Sequence, residues 1–301
     1  MNKIRLYALL AVISTFANAV SAQDEDLLSM VGGDEKPKKE RVKYAFKSPR
    51  VINSHSIEFL NPGTLDFRIL HRFGQLDQGY KNFFGLDQAS MRMSFDFGIM
   101  HNLMAGVGRS TFKKELDAFV KYAPIRQSTG GKLNSPVTVA LVSGITMDGT
   151  PWTDPSRTNY FTSRLAYYFQ AVIGRKFSEG FSLQVSPTMV HKNLVQLETD
   201  PNNIYALGIG GRLKVSKRVA LTWDYNHVLV GMPDSGYYHP LSVGVDIETG
   251  GHVFQLHFSN ATGMNERAFI TETTGNWGKG EVRFGFNLSR VFQLKKSKHK
   301  G

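Results

Sequence analysis

The chain has 301 residues and a formal net charge of +11, and it contains no cysteine. The missing cysteines exclude disulfide bonds, thiol chemistry, cysteine-based zinc sites and a lipoprotein anchor. A basic balance is compatible with nucleic-acid binding, but the chain begins with an export signal, and exported chains rarely meet nucleic acid.

That export signal has the pattern of a cleavable secretory signal peptide. Lys3 and Arg5 precede an apolar run from Leu6 to Phe16, and Val20-Ser21-Ala22 forms a small-residue cleavage site. The apolar run is shorter than the roughly 20 residues that a spanning helix needs, and no later stretch approaches that length. We expect residues 1–22 to be removed, which takes away two positive charges and leaves 11 − 2 = +9.

The segments at the two ends of the mature chain lack apolar periodicity. Residues 23–50 begin with the acidic run "QDEDLL" and continue with the basic run "EKPKKERVK", which is typical of a flexible leader. Residues 293–301 form a basic tail. We expect both segments to lie in the periplasm, on either side of a barrel domain at residues 51–292. The pattern leaves open whether residues 51–60 add a strand to the barrel or plug its lumen.

The barrel prediction comes from repeated alternation of apolar and polar residues, which is the period of a strand with two different faces. About twelve strands are expected, and most have the roughly 9 to 11 residues that a tilted strand needs to cross a bilayer. Their predicted ranges are 64–73, 90–100, 103–111, 115–123, 137–147, 163–175, 181–191, 204–215, 219–229, 240–249, 252–260 and 281–292.

The connections between these strands fall into a short set and a long set. "HN" and "SKR" are short links, while "GQLDQGYKNFFGLDQA" and "ATGMNERAFITETTGNWGKG" are long loops. Short turns at one end and long loops at the other are typical of an outer-membrane barrel with both termini in the periplasm. Two connections break the rule, because "TFKK" is short where a loop is expected and "PIRQSTGGKLNSP" is long where a turn is expected.

Charge placement distinguishes a membrane barrel from a soluble β-sandwich. In "MRMSFDFGI" the apolar residues alternate with Arg92, Ser94 and Asp96. A dry sandwich core would bury such charges at a cost of several kcal/mol each. In a membrane barrel, the same side chains point into a hydrated lumen. The expected lumen-lining residues are Asp66, Arg68, Arg72, Arg92, Asp96, Asp117, Lys121, Arg164, Arg212, Asp224, Asp246, Glu248, His257 and Arg283.

The last predicted strand resembles the C-terminal signal that the barrel assembly machinery recognises. Phe284, Phe286, Leu288 and Phe292 form one face, and an aromatic residue closes it. The basic tail beyond Phe292 departs from the usual pattern, in which the aromatic residue is the last one. We therefore expect outer-membrane lipid and the assembly machinery as partners.

Three stretches carry a family resemblance: "SPRVINSHSIEFLNPGTLDFRILHRFG", "SMRMSFDFGIMHNLMAGVGRS" with "KKELDAFVKY", and "TGGHVFQLHFSNATGMNE". They resemble an uncharacterised family of outer-membrane β-barrels from Bacteroidota, a domain of unknown function. The resemblance extends from about Ala45 to Phe292. It implies a barrel fold and an envelope location, and it implies no activity and no functional residues.

One group of residues suggests a catalytic alternative. His257 and Ser259 lie two apart on a strand whose apolar row is Phe254, Leu256 and Phe258, so both are expected to point into the lumen. Asn287 on the last strand also points inward. A serine needs a base within hydrogen-bond reach and a third group that orients the base, which these residue types could supply.

We expect a non-enzymatic outer-membrane channel or solute-binding barrel with a charged lumen, which could take a small polar or anionic solute. The alternatives are a hydrolase built on His257, Ser259 and Asn287, and a structural or partner-binding barrel whose leader docks a periplasmic protein. The histidines have no repeated ligand spacing, so neither a metal nor a cofactor is expected.

Overall fold

The computed structural model describes residues 40–130, 134–195, 197–233, 236–249 and 252–294. The predicted signal peptide, most of the predicted leader and all but the first two residues of the predicted basic tail lie outside these ranges. Among the described residues, no helix is long and apolar enough to cross a membrane.

Twelve antiparallel strands form a closed barrel in which each strand pairs with its neighbours in sequence and the last strand pairs with the first. The predicted all-β, up-and-down barrel is therefore confirmed, and each predicted strand end lies within two residues of the observed one. The strands are β1 (Thr64–Gln75), β2 (Ala89–Met100), β3 (Leu103–Ser110), β4 (Leu116–Ile125), β5 (Thr138–Met147), β6 (Leu165–Lys176), β7 (Phe181–Lys192), β8 (Asn203–Lys214), β9 (Val219–Val230), β10 (Leu241–Thr249), β11 (His252–Ser259) and β12 (Arg283–Gln293).

The two faces of the wall differ sharply in burial. On β2, Met93, Phe95 and Phe97 are 41%, 45% and 39% exposed, whereas the intervening Ser94 and Asp96 are at most 1% exposed. Alternate residues of a strand point to opposite sides of a sheet, so the apolar row lies outside and the polar row inside. An exposed apolar belt of this kind fits a hydrocarbon environment rather than water.

The connections define a turn end and a loop end. Links such as residues 101–102 and 215–218 join strands at the turn end, where β1 begins and β12 ends. Residues 126–137 form the long connection at this end, and within it Ser128–Thr129 pairs with the short strand Glu40–Arg41. Part of this unexpectedly long connection thus pairs with the segment that precedes the barrel and enters it.

The loop end carries the longer connections, whose described residues contain five short 3-10 segments and one helix. The helix, α1 (Glu266–Thr271), lies between β11 and β12, and the side chain of Asn265 caps it by accepting a hydrogen bond from the Ala268 amide at 2.9 Å. All of its residues are buried. The 3-10 segments are Leu76–Gln78, Tyr80–Gly85, Phe112–Lys114, Phe161–Arg164 and Trp277–Lys279.

Residues 44–60, which we call the luminal hairpin, occupy the interior of the barrel. Arg50 and His55 form an antiparallel bridge, and the Val51 amide donates to the Ser54 carbonyl at 2.9 Å across the tip. The boundary expected at residue 50 falls inside this hairpin, because Phe46 is as deeply buried as Ile52. The interior is therefore filled with polypeptide, from the turn end by the hairpin and from the loop end by α1.

Candidate functional site in the occupied lumen

The tip of the luminal hairpin is clamped by one carboxylate of the wall. Asp224 Oδ2 accepts the backbone amides of Asn53 and Ser54 at 2.9 and 2.7 Å, and Asp224 Oδ1 accepts the Ser54 hydroxyl at 2.7 Å. Asp224 is the sixth residue of the twelve in β9, so the tip lies near mid-height. Hydrogen bonds to a charged acceptor are roughly twice as strong as neutral ones, so this clamp fixes the tip.

Wall amides capture the backbone carbonyls of the same hairpin. Gln255 donates to the Val51 carbonyl, and Asn287 donates to the Ile52 carbonyl at 3.1 Å. On the opposite wall, Gln184 donates to the His55 carbonyl at 2.7 Å and accepts the Ile57 amide at 3.1 Å. The wall therefore satisfies backbone groups that would otherwise be buried without partners.

Some charged side chains of the wall pair with each other. Arg92 Nε donates to Asp117 Oδ1 at 2.8 Å, and Arg68 Nη2 donates to Asp66 Oδ2 at 2.7 Å. Among the described residues Lys121 has no carboxylate partner within ion-pair distance, and its ammonium donates to the carbonyl of Glu58 at 2.6 Å. Short local contacts thus neutralise part of the mixed charge of the lumen.

The hairpin meets α1 at a buried ion pair. Arg50 Nη1 lies 2.9 Å from Glu266 Oε1, and the two side chains are 1% and 0% exposed. His55 Nε2 lies 3.5 Å from the same oxygen and 3.3 Å from Tyr168 Oη. Arg50 lies in the luminal hairpin, which we call the turn-end plug, and Glu266 lies in α1, which we call the loop-end plug. This contact therefore joins the two plugs.

Most of the residues expected to line the lumen are buried on the inner face. Glu248 and Arg283 are only half-buried, near the ends of their strands, and Glu248 pairs with Arg212 and Lys47 at 3.0 Å each. The buried set is Asp66, Arg68, Arg72, Arg92, Asp96, Asp117, Lys121, Arg212, Asp224, Asp246 and His257.

Arg164 does not lie on the luminal wall where the sequence pattern places it. It ends the 3-10 segment Phe161–Arg164, and β6 begins one residue later at Leu165. Its guanidinium lies 3.9 Å from the ring centroid of Trp152 and donates to the Asp148 carbonyl at 2.9 Å. Arg164 therefore belongs to the rim at the loop end.

His257, Ser259 and Asn287 all lie inside, but they are not brought together. Ser259 Oγ accepts the Ser242 hydroxyl at 2.8 Å, and Asn287 Oδ1 accepts Arg72 Nη1 at 3.1 Å. Within the described ranges, neither ring nitrogen of His257 has a hydrogen-bond partner. The register places His257 opposite Gly285 and Asn287 opposite Gln255, so a base-activated serine is not assembled.

The sequence pattern missed the residues that fill the lumen. Asn53, Ser54 and Glu266 carry the central contacts, yet they lie outside every predicted strand. The sequence indicates only that this segment is not a regular wall strand, since "SPRVINSHSIEFL" contains a proline and small polar residues without the alternation of a strand. In the described parts of the chain, no group of three or more His, Asp or Glu residues is placed to hold a metal ion.

Comparison with solved structures finds barrels of low similarity. The NanC porin aligns with a TM-score of 0.46 at 9% identity, covering 75% of this chain and 98% of that one. The KdgM porin gives 0.45 at 10% identity, covering 76% and 99%, and Omp33 of Acinetobacter baumannii gives 0.41 at 9%, covering 76% and 98%. With TM-scores below 0.5, these similarities support no conclusion about this chain.

Comparison at the sequence level is more informative. A search of curated proteins found no match. The family model described as a membrane-bound β-barrel domain matches residues 46–292, which include most of the luminal hairpin and nearly all of the barrel. This match confirms the expected family of unknown function and the membrane barrel, whereas the bacterial group named by the resemblance stays a prediction. The chain belongs to the DUF5777 family of membrane-bound β-barrel domains.

Proposed function

We propose that the protein is a non-enzymatic, gated channel of the bacterial outer membrane, and that the luminal hairpin is its gate. The structure then represents the closed state. The observation that carries this proposal is the set of polar contacts between hairpin and wall, in which Asp224, Gln184, Gln255 and Asn287 all bond to hairpin backbone beside a smaller apolar cluster.

A polar interface can be exchanged for water at modest cost. A typical intramolecular hydrogen bond contributes only about 0.5–1.5 kcal/mol net, because water replaces the lost partner. The apolar part of the interface adds to this cost, because Phe46, Val51 and Ile57 of the hairpin belong to a buried cluster with wall residues and would meet water on opening. The wall also keeps polar groups that no described residue uses, including both carboxylate oxygens of Asp96, the hydroxyl of Ser94 and the ring nitrogens of His257. Such a wall is suited to contact water.

The path of the chain supports a movable gate. Both arms of the hairpin leave the barrel at the turn end, one through Glu40–Arg41 and the other into β1. A partner that binds the leader before residue 40 could therefore act on the hairpin directly. Because short turns usually face the periplasm, we place both termini and this partner there.

The expected partners follow from the same geometry. The exposed apolar rows of the wall suit outer-membrane lipid, and β12, with Phe292 near its end, suits the barrel assembly machinery. A small polar or anionic solute is the expected cargo. The partner-binding barrel remains the second candidate, favoured by the pairing of Glu40–Arg41 with the wall connection at Ser128–Thr129.

The gate can be tested by locking it. The Ser54 hydroxyl lies 3.1 Å from Asn226 Nδ2. Since the chain has no cysteine, a Ser54→Cys/Asn226→Cys pair would introduce a single, specific disulfide. Planar-bilayer recordings would compare wild type, the oxidised pair, the reduced pair and each single cysteine variant. A variant lacking both residues 45–60 and residues 266–271, so that the hairpin and α1 are removed together, provides the open reference.

We expect brief openings in the wild type, silence in the oxidised pair and recovery on reduction. The barrel without hairpin and α1, once its heat-dependent mobility in SDS confirms folding, should conduct continuously. A folded barrel without both segments that shows no conductance would refute the channel. Equal conductance in the oxidised and reduced pairs would refute the gate and leave the partner-binding barrel as the better proposal.

A further inference from the structure

A cleft of about 450 Å³ opens at the loop end of the barrel. It lies between the connection of residues 148–164 and the loop-end residues of β6 and β7, and Arg267 of α1 with the adjacent Glu272 forms part of its lining. Its volume is in the range of sites for small organic molecules and exceeds what a bare inorganic ion needs. We call it the loop-end cleft.

The lining of this cleft has an excess of positive charge. Only two carboxylates, Asp148 and Glu272, stand against five cationic side chains, so the formal balance among the described lining residues is 5 − 2 = +3. The five cations are Lys113, Arg157, Arg164, Lys192 and Arg267. Clustered like charges in a concave site attract anions from solution.

Three of the five cations already have partners. Arg267 and Lys113 both bind Glu272 Oε1, at 2.7 and 2.8 Å. Arg164 donates to backbone carbonyls of its own connection. The carboxylate of Asp148 accepts from Thr150 instead of pairing with a cation, through the backbone amide at 2.8 Å and the hydroxyl at 2.6 Å.

Lys192 and Arg157 differ from these three cations because their charged groups have no bonded partner among the described residues. Throughout the ranges that the structure describes, neither side chain makes a hydrogen bond or an ion pair, although Lys192 is half-buried at the end of β7. Glu272 and Asp200 lie near enough to attract Lys192 but form no ion pair with it. A partly desolvated ammonium without a direct ion-pair partner favours binding of an anion. Trp152, held against Arg164 at 3.9 Å, supplies a firm apolar wall beside them.

We propose that the loop-end cleft binds a small organic oxyanion, a carboxylate or a phosphate ester, between Lys192 and Arg157. The indole of Trp152 contacts the uncharged part of the same solute. This site stands on its own geometry and does not require the barrel to conduct. Arg267 lies in α1 and Glu272 directly follows it, and both form part of the cleft lining, so the bound solute lies next to the loop-end plug.

Isothermal titration of the refolded, full-length barrel in detergent at 0.15 M salt tests the proposal. The probes are glucuronate, glucose 6-phosphate and neutral glucose. The Lys192→Gln/Arg157→Gln variant removes the two unpaired charges. Its matched control, Lys217→Gln/Arg218→Gln, removes the same charge from the exposed turn between β8 and β9 at the opposite end.

We expect saturable binding of at least one of the two anions, none of glucose, and at least a tenfold loss of affinity in the cleft variant alone. Which anion binds identifies carboxylate or phosphate chemistry. If the double variant fails to fold, the exposed Arg157→Gln change alone should still weaken binding. Absence of saturable binding, equal binding of glucose, or equal losses in the control would overturn the proposal.

Discussion

Arg50 Nη1 and Glu266 Oε1 lie 2.9 Å apart at the meeting point of two plugs that enter the barrel from opposite ends. Arg50 also donates to the Asn53 carbonyl at 2.6 Å, so the same guanidinium braces the hairpin tip. Removal of one member of a buried ion pair leaves the other charge buried without a partner. The resulting loss of stability is usually larger than the net stability that the intact pair contributes. This junction is therefore where a single substitution should act on both plugs.

Glu266→Ala should lower the free energy of unfolding by about 3 kcal/mol, because Arg50 would stay buried without a counter-charge. Guanidinium titration in detergent measures this loss. The matched control is the double variant Arg50→Met/Glu266→Leu, which removes both charges. It should be clearly more stable than Glu266→Ala. If both variants lost the same unfolding free energy, the unpaired charge of Arg50 would not be the cause of the loss.

Asp224→Ala should loosen the hairpin tip. The backbone amides of Asn53 and Ser54 would lose the carboxylate that accepts from them, and each buried amide left unpaired costs about 1–3 kcal/mol. Hydrogen exchange of these two amides should become at least tenfold faster. Asp154→Ala is the control, because the carboxylate of Asp154 accepts from the amide and hydroxyl of Ser156 in an exposed loop. Unchanged exchange in Asp224→Ala would contradict the clamp.

Stability should depend on pH through Glu115, which lies at the loop end just before β4. Burial raises the pKa of this carboxyl from 4.5 to about 7, against the opposing effects of Arg267 and the Asn265 amide. Between these values the folded state holds a proton that the unfolded state has released, so this contribution to stability falls as pH rises from about 4.5 to 7.

The control for that dependence is Glu115→Gln, which cannot titrate. The unfolding temperature of the variant minus that of the wild type should become more positive from pH 5 to pH 8. Comparing the two proteins at each pH cancels the contribution of other groups. A difference that is flat, or that falls over this range, would rule out a raised pKa at Glu115.

Gly285→Ala should destabilise the wall by about 1–3 kcal/mol, the usual cost of overpacking. A Cβ at this position would lie 2.6 Å from the His71 carbonyl oxygen and 2.6 Å from His257 Nε2. The first of these is backbone and cannot turn away. The temperature of the mobility shift in SDS should fall in this variant. Gly180→Ala, whose Cβ would have Ser178 Oγ at 3.9 Å as its nearest contact, should leave it unchanged.

The barrel could be predicted from the sequence because lipid outside and charge inside impose a two-residue period on every strand. Phe254, His257 and Phe258 illustrate this, since both phenylalanines are exposed and the histidine is buried. Arg164 shows that the alternation does not predict where a strand begins. Its position depends on where β6 begins, and a 3-10 segment shifts that start to Leu165.

The luminal hairpin could not be predicted in the same way. Its order comes from wall residues far away in sequence, such as Asp224, which lies 170 residues after Ser54. No local periodicity encodes such contacts, and the backbone groups they satisfy are the same in every residue type. Glu266 was missed for a related reason, because its role depends on Arg50 reaching it through the interior.

Closure of the barrel also changes the chain entropy of the junction. Arg50 and Glu266 are 216 residues apart in sequence, a long loop to close in an open chain. Once β12 pairs with β1, Arg283 lies opposite Gln75, so 75 − 50 = 25 and 283 − 266 = 17 residues connect the two through the seam. The effective loop shrinks to about 42 residues, which lowers its closure cost by roughly 1.5 kcal/mol. Formation of the seam therefore makes the contact between the first and last parts of the barrel much less remote along the chain.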